Sequence, residues 1–302
     1  MKRTTIAFLI SFLALSLLGC KERKTDFDSL TDSEKLEVLD IRIEKHPKDA
    51  DAYADRSAVL FNLGRQKEAL IDINKAVELD GKNVDYRLRQ ADLYFAGGDV
   101  ENSYKALTEA EKLSPESNEV QLKMGEVTFY SRDYDRSLRC LTNVTEREPD
   151  NQTALFMKGF IYKEKGDTAS AVTLLRRVCD LYPDYEPAFE ELGILYSSVN
   201  NPLAAEYLST AIRLQPNNTN ALYALAMYHQ DNKQMDEAEA LYRKILDINE
   251  NSADAWHNLG YIELTYYSDY ERAIEYFDRA LAVDPDHTAA RLNRDLAIES
   301  AK

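Results

Sequence analysis

An all-α solenoid, built by repeating one helix–turn–helix hairpin, is the fold this 302-residue sequence predicts. Three observations predict it. Helix-stopping residues recur almost evenly: Pro47, Gly81, Pro115, Pro149 and Pro183 stand 34 apart, Pro216 follows after 33, and Glu250 and Pro285 after 34 and 35. Two ladders of small residues run in the same register, Ser57, Ala91, Gly125, Gly159, Gly193, Ala226, Gly260 and Ala69, Ser103, Ser137, Ala171, Ala204, Ala238, Ala273. Helix axes come close only where neither side chain is bulky, so the two ladders predict the crossing inside each hairpin. Proline and glycine also keep to boundaries and turns: Pro187 opens a helix, and Pro202, Gly64, Gly97, Gly98 and Gly166 lie between paired helices. The one-residue deletion and insertion both fall in that same turn, leaving helix interiors whole.

At the N-terminus, Lys2 and Arg3 precede an apolar run, Ile6–Leu18. It is too short to span a bilayer as a helix and fits the apolar region of a secretory signal. The ending Leu17-Leu18-Gly19-Cys20 resembles a bacterial lipobox. That resemblance implies a signal peptide over residues 1–19 and lipidation of Cys20. With Lys21 where an inner-membrane retention signal would place Asp, it also implies the outer membrane. Lys21-Glu22-Arg23-Lys24 lacks the acid-rich run of surface-exposed lipoproteins, so the expected orientation is toward the periplasm. Residues 20–30 read as a polar tether. Thr31-Asp32-Ser33-Glu34 then has the form of a capping box opening an N-terminal capping helix within 31–49, with Leu36, Leu39 and Ile43 as its apolar stripe.

Seven hairpin units follow, at 50–83, 84–117, 118–151, 152–185, 186–218, 219–252 and 253–287. A ladder of Ala76, Ala110, Val144, Val178, Ala211, Ile245 and Ala280 marks where each second helix meets the next unit. Another, Ile73, Leu107, Leu141, Leu175, Leu208, Tyr242 and Phe277, fills the space between layers. The last unit is the fullest, with Trp256, Leu259, Gly260, Ala273, Phe277, Ala280 and Pro285 all in place. This period and pattern resemble the tetratricopeptide repeat. The resemblance implies a right-handed superhelix whose first helices line a concave groove. Units 84–117 and 118–151 depart from the pattern, with Arg87 and Gln121 where a large opening residue belongs. Residues 288–302 read as a C-terminal capping helix, with Leu292, Leu296 and Ile298 as apolar positions and Arg291, Arg294, Asp295 and Glu299 opposite.

The family's groove-facing positions map onto Phe61, Leu88, Asp92, Phe95, Leu122, Glu126, Phe129, Phe156, Phe160, Ile194, Tyr223, Met227 and Tyr261. An apolar strip rimmed by acids suits an extended or helical segment with basic flanks. Ala54 and Ala58 take two places where some family members grip a terminal carboxylate, so no such clamp is expected. The formal charge of −16, which becomes −18 once Lys2 and Arg3 leave with the signal, argues against nucleic acid. His46, His229, His257 and His287 show no helical pairing, and none has a partner at metal-ligand spacing. Cys140 and Cys179 sit five residues apart along the repeat, out of reach of a disulfide. Gly97-Gly98-Asp99 is too short for a phosphate loop, and no nucleophile–base set emerges. The sequence therefore predicts a non-enzymatic scaffold with no cofactor or metal, held at a membrane by lipid and docking a protein or peptide segment. A self-associating structural module of an envelope complex, a homo-oligomer, is the competing expectation.

Overall fold

The computed structural model describes residues 27–302. The signal peptide, the lipidation of Cys20 and most of the tether lie outside the described residues. Among the described residues the regular structure is helical throughout, with sixteen α-helices and no strand. A short 3-10 turn, Phe27–Ser29, leads into α1 (Asp32–Lys45). The capping box forms: the Thr31 N–H donates to the Glu34 carboxylate at 2.9 Å, and the Glu34 N–H donates to Thr31 Oγ1 at 3.4 Å. Seven helix pairs follow: α2 (Ala50–Asn62) with α3 (Gln66–Leu79), α4 (Val84–Ala96) with α5 (Val100–Leu113), and α6 (Asn118–Tyr130) with α7 (Tyr134–Arg147). Next come α8 (Gln152–Glu164) with α9 (Thr168–Leu181), α10 (Glu186–Ser198) with α11 (Leu203–Leu214), and α12 (Thr219–Asp231) with α13 (Met235–Ile248). The last pair is α14 (Ala253–Ile262), prolonged by a π turn over Glu263–Tyr267, with α15 (Tyr270–Val283), and α16 (Thr288–Ser300) ends the chain.

The helices group into two compact blocks, one ending at Val120 and one running Gln121–Lys302. In the first, Ile73, Ala76 and Leu107 are fully buried, and Arg56 reaches a buried Asp72 through two hydrogen bonds of 2.7 Å. Arg56 also holds Asp40 of α1 at 2.7 Å, tying the capping helix to the first pair. In the second block, Leu141, Leu175, Leu208, Tyr242 and Phe277 are fully buried.

The glycines of the crossing show why this packing needs small residues. A Cβ on Gly193 would lie 2.6 Å from Leu208 Cγ, and one on Gly260 would lie 2.7 Å from the Phe277 ring. The bulk facing each glycine is thus the large residue four beyond the second small ladder. The two small ladders still touch: Ser137 Oγ donates to the Gly125 carbonyl at 2.6 Å, and Ser57 Oγ donates to that of Ala69 at 2.8 Å. A hydroxyl here serves as both a small group and a pin.

Capping fixes where each helix starts. Asp49, Asn83, Asn151, Asn218 and Ser252 accept backbone N–H groups at the starts of α2, α4, α8, α12 and α14. Asp99, Asp133, Asp167 and Asp269 do the same for α5, α7, α9 and α15. Each such cap contributes about 1 kcal/mol. The cap residues recur with the repeat, a signal that periodicity of apolar and small residues alone does not expose.

The C-terminal helix requires a correction. Leu292 and Leu296 were expected to be its packed positions, yet they are 64% and 51% exposed. Ala290 and Ala297 are fully buried instead, and Ile298 is half-buried. Counted through the repeat, Leu292 and Leu296 stand where His257 and Tyr261 stand in α14, on the columns that carry the candidate groove residues. Arg291, Asp295 and Glu299 remain exposed, a polar end face for the last helix.

Candidate partner-binding surface

The first helices of the pairs present recurring columns of side chains, and each block carries its own part. In the first block, Phe61 is 44% exposed, Asp92 is exposed and Phe95 is half-buried. Leu88 is a correction: at 4% exposure it belongs to the core and offers no surface. Its column lies where successive first helices meet, as the Arg89 guanidinium bonded to the Ala54 carbonyl and Tyr86 OH bonded to Asp51 both mark. A leucine there is covered by its neighbours.

In the second block, Leu122, Phe129, Phe156, Phe160, Ile194, Tyr223 and Met227 are half-buried, while Glu126 and Tyr261 are exposed. Several of these aromatics are partly engaged inside the protein. Phe129 meets Phe160 edge-on at 5.6 Å, Phe156 meets Tyr185 at 5.2 Å, and Tyr223 packs on the buried Tyr242 at 5.9 Å. Tyr223 OH also accepts from the Asn258 amide at 3.0 Å. The rings are therefore held in fixed orientations with one side open.

Two depressions result. One, of about 210 Å³, is lined by Phe129, Phe156, Met157 and Phe160, all apolar. The other, of about 390 Å³, combines Ile194, Tyr223 and Ala224 with Thr219, Asn220, Ser252 and Asp254. Beside the first, the Lys163 ammonium sits 4.3 Å above the Phe160 ring and 2.5 Å from a Glu191 carboxylate oxygen. Between the two, Asn218 donates one amide nitrogen to both Glu186, at 2.7 Å, and Glu190, at 2.6 Å. Burial and the neighbouring Glu190 hold the Glu186 carboxyl above its ordinary pKa, against the lowering effect of the Asn218 bond.

Met157 and the Glu186–Glu190–Asn218 cluster escaped the sequence reading. So did a histidine pair: His257 and His287, thirty residues apart in the chain, stack with ring centroids 4.9 Å from each other. His287 stands at the recurring cap position, which was the available signal. Cys140 and Cys179 are both buried and unbridged, and burial pushes the Cys179 thiol up to about 12. Among the described residues no group of three or more His, Cys, Asp and Glu side chains is placed to hold a metal. No described helix is long and apolar enough to cross a membrane.

Three family models, each described as a tetratricopeptide repeat, match residues 50–83, 122–186 and 218–286. No curated protein matches the chain by sequence. Among solved structures the chain is similar to YrrB, described as a TPR protein with an unusual peptide-binding site, at 23% identity and a TM-score of 0.51, covering 63% of this chain and 98% of that one. It is similar to the C-terminal part of a TPR repeat-containing protein from Cytophaga hutchinsonii, at 16% identity and a TM-score of 0.64, covering 82% and 98%. It is also similar to PilW, described as a widely conserved type IV pilus biogenesis factor, at 16% identity and a TM-score of 0.62, covering 68% and 96%.

Proposed function

We propose, on the premise that the chain belongs to the tetratricopeptide-repeat proteins, that it is a non-enzymatic docking scaffold anchored to the bacterial outer membrane through lipid on Cys20. In this reading it faces the periplasm and holds a protein or peptide segment against its first helices. The observation that carries the reading is the row of half-exposed Phe129, Phe156 and Phe160 around an open apolar pocket. Buried aromatic anchors in such pockets dominate binding energy in protein interfaces. The likeness to YrrB and PilW supports a binding role and an envelope-assembly setting.

The test is capture of partners from envelope extracts by the full chain and by a Phe95→Ala/Phe129→Ala/Phe160→Ala variant. A specific partner lost by the variant, with helicity and Tm retained, supports the groove. An unchanged set of partners moves binding to another face.

A second reading, self-association, draws on the exposed Leu292 and Leu296. Two leucines fall far short of the roughly 800 Å² per partner of a stable interface, so this contact would need further surface. Light scattering of the chain with and without residues 288–302 decides it: a dimer that becomes a monomer on truncation favours self-association.

A further inference from the structure

The pocket between α6 and α8 and the acidic cluster on α10 together specify the chemistry of the docked segment. The pocket is walled only by Phe129, Phe156, Met157 and Phe160, and its volume of about 210 Å³ exceeds the roughly 150 Å³ of apolar cavities that take up benzene. One aromatic side chain fits it. An anion is a poor occupant of this neighbourhood, because the nearby Lys163 is already bonded to Glu191.

On the next first helix, Glu186 and Glu190 crowd one neutral amide. The orientation of Asn218 is fixed, because its Oδ1 accepts the N–H groups of Asn220 and Ala221 and leaves Nδ2 for the carboxylates. No ion pair reaches either glutamate among the described residues. Two carboxylates brought together without a cation attract one. Neighbouring first helices lie about 10 Å apart, so the acids on α10 lie about 15 Å from a pocket midway between α6 and α8, which an extended chain advancing about 3.3 Å per residue spans in about four to five residues.

We propose that the docked segment is an extended peptide with an aromatic side chain in the Phe129–Phe156–Phe160 pocket and, about four to five residues away, an arginine or lysine between Glu186 and Glu190. This rests on the groove reading above and gives it a sequence requirement.

The experiment is selection of a phage-displayed random dodecapeptide library on the immobilised full chain. Enriched peptides are expected to pair an aromatic with a basic residue at that spacing. On a Glu186→Gln/Glu190→Gln variant the aromatic should persist and the basic preference vanish. The leading peptide should then bind about tenfold more weakly, as loss of a charge-assisted bond implies. On a Phe160→Ala variant of native helicity the aromatic preference should go.

Peptides that depend on Phe160 but show no basic preference, or one unchanged by the glutamine variant, overturn this proposal and leave the groove reading standing. An absence of any enriched peptide, or enrichment indifferent to Phe160, overturns both.

Discussion

At the scale of single residues, the turns hold the most exposed test of the backbone. Every turn within a pair places one residue in the left-handed region at the same repeat position: Gly64, Gly98, Arg132, Gly166, Asn200, Lys233 and Ser268. Glycine adopts this conformation freely, and other L-residues pay about 1 kcal/mol or more. Lys233→Gly should therefore stabilise the protein by about 0.5–1 kcal/mol, less than the full strain because glycine also loosens the unfolded chain. Gly98→Ala should cost about 1 kcal/mol, since a Cβ there meets nothing within 4 Å and only the backbone objects. Denaturant midpoints of the two variants read both signs.

The histidine pair gives a second prediction. His287 Nδ1 accepts the Ala290 N–H at 3.1 Å and caps α16, so its proton is on Nε2, which faces Asp254 Oδ1 at 3.3 Å. His257 is bracketed by Asn258 on its own helix and Asn293 on α16, with Phe277 of α15 against its ring and Tyr223 of α12 reached through Asn258. Burial, then the neighbouring His287, pushes the His257 pKa below its ordinary value. The unfolded chain thus binds more protons than the folded one below about pH 6.5. Stability should be full above that pH and fall as pH drops through the lower, folded-state pKa of His257. His287→Asn keeps a capping side chain but removes the stacked ring, so its Tm should vary less between pH 7.5 and 5.5. An equally steep profile would clear the pair of any part in acid sensitivity.

At the scale of elements, the irregular units show how a repeat absorbs a change of length. In six turns the N–H at the start of the second helix bonds the carbonyl five residues back, as Asp99 does to Tyr94 and Asp167 to Tyr162. In the last pair Asp269 bonds Glu263, six back, and the extra residue is taken up by the π turn. The missing residue of the fifth pair is taken up at the start of α11, where Ala204 bonds Asn201 three back and Pro202 leads the helix. Both adjustments come ahead of the large core residues of the second helix, Leu208 and Phe277, which stay fully buried.

Deleting Thr265 should therefore convert the π turn to the ordinary closure and change stability by less than about 1.5 kcal/mol. Inserting an alanine after Leu174, inside α9, would rotate everything beyond it by about 100°. Leu175 and Val178 would leave the core, at a cost of about 2–5 kcal/mol per large side chain. Thermal melts followed by circular dichroism compare the two directly.

At the scale of the whole molecule, the proposed function assigns address and binding to different parts of the chain. If acyl chains on Cys20 hold the protein at a membrane, as about 0.8 kcal/mol per buried methylene allows, Cys20→Ser should move it from the membrane to the soluble fraction. Capture of partners by the purified variant should be unchanged, because the candidate surface lies wholly beyond residue 60. A variant that stays with the membrane would show that something else anchors it.

The hairpin order, the crossings and the two terminal helices were legible in the residues, because every packing contact in such an array joins near neighbours along the chain. Small groups, stops and turns then recur at a fixed interval that needs no distant partner to be read. Exposure was not legible, and two leucines on one column show why. Leu88 and Leu292 occupy equivalent repeat positions, yet one is 4% and the other 64% exposed. Leu88 is enclosed by neighbouring helices, whereas among the described residues no helix covers Leu292. The pairing of His257 with His287, and of Glu186 with Glu190 about one amide, likewise depended on rotamers and on the fit of adjacent hairpins. Sequence determined which faces are built, through local spacing; tertiary structure decided which side chains on those faces remain open, because accessibility belongs to the surroundings of a residue and not to the residue.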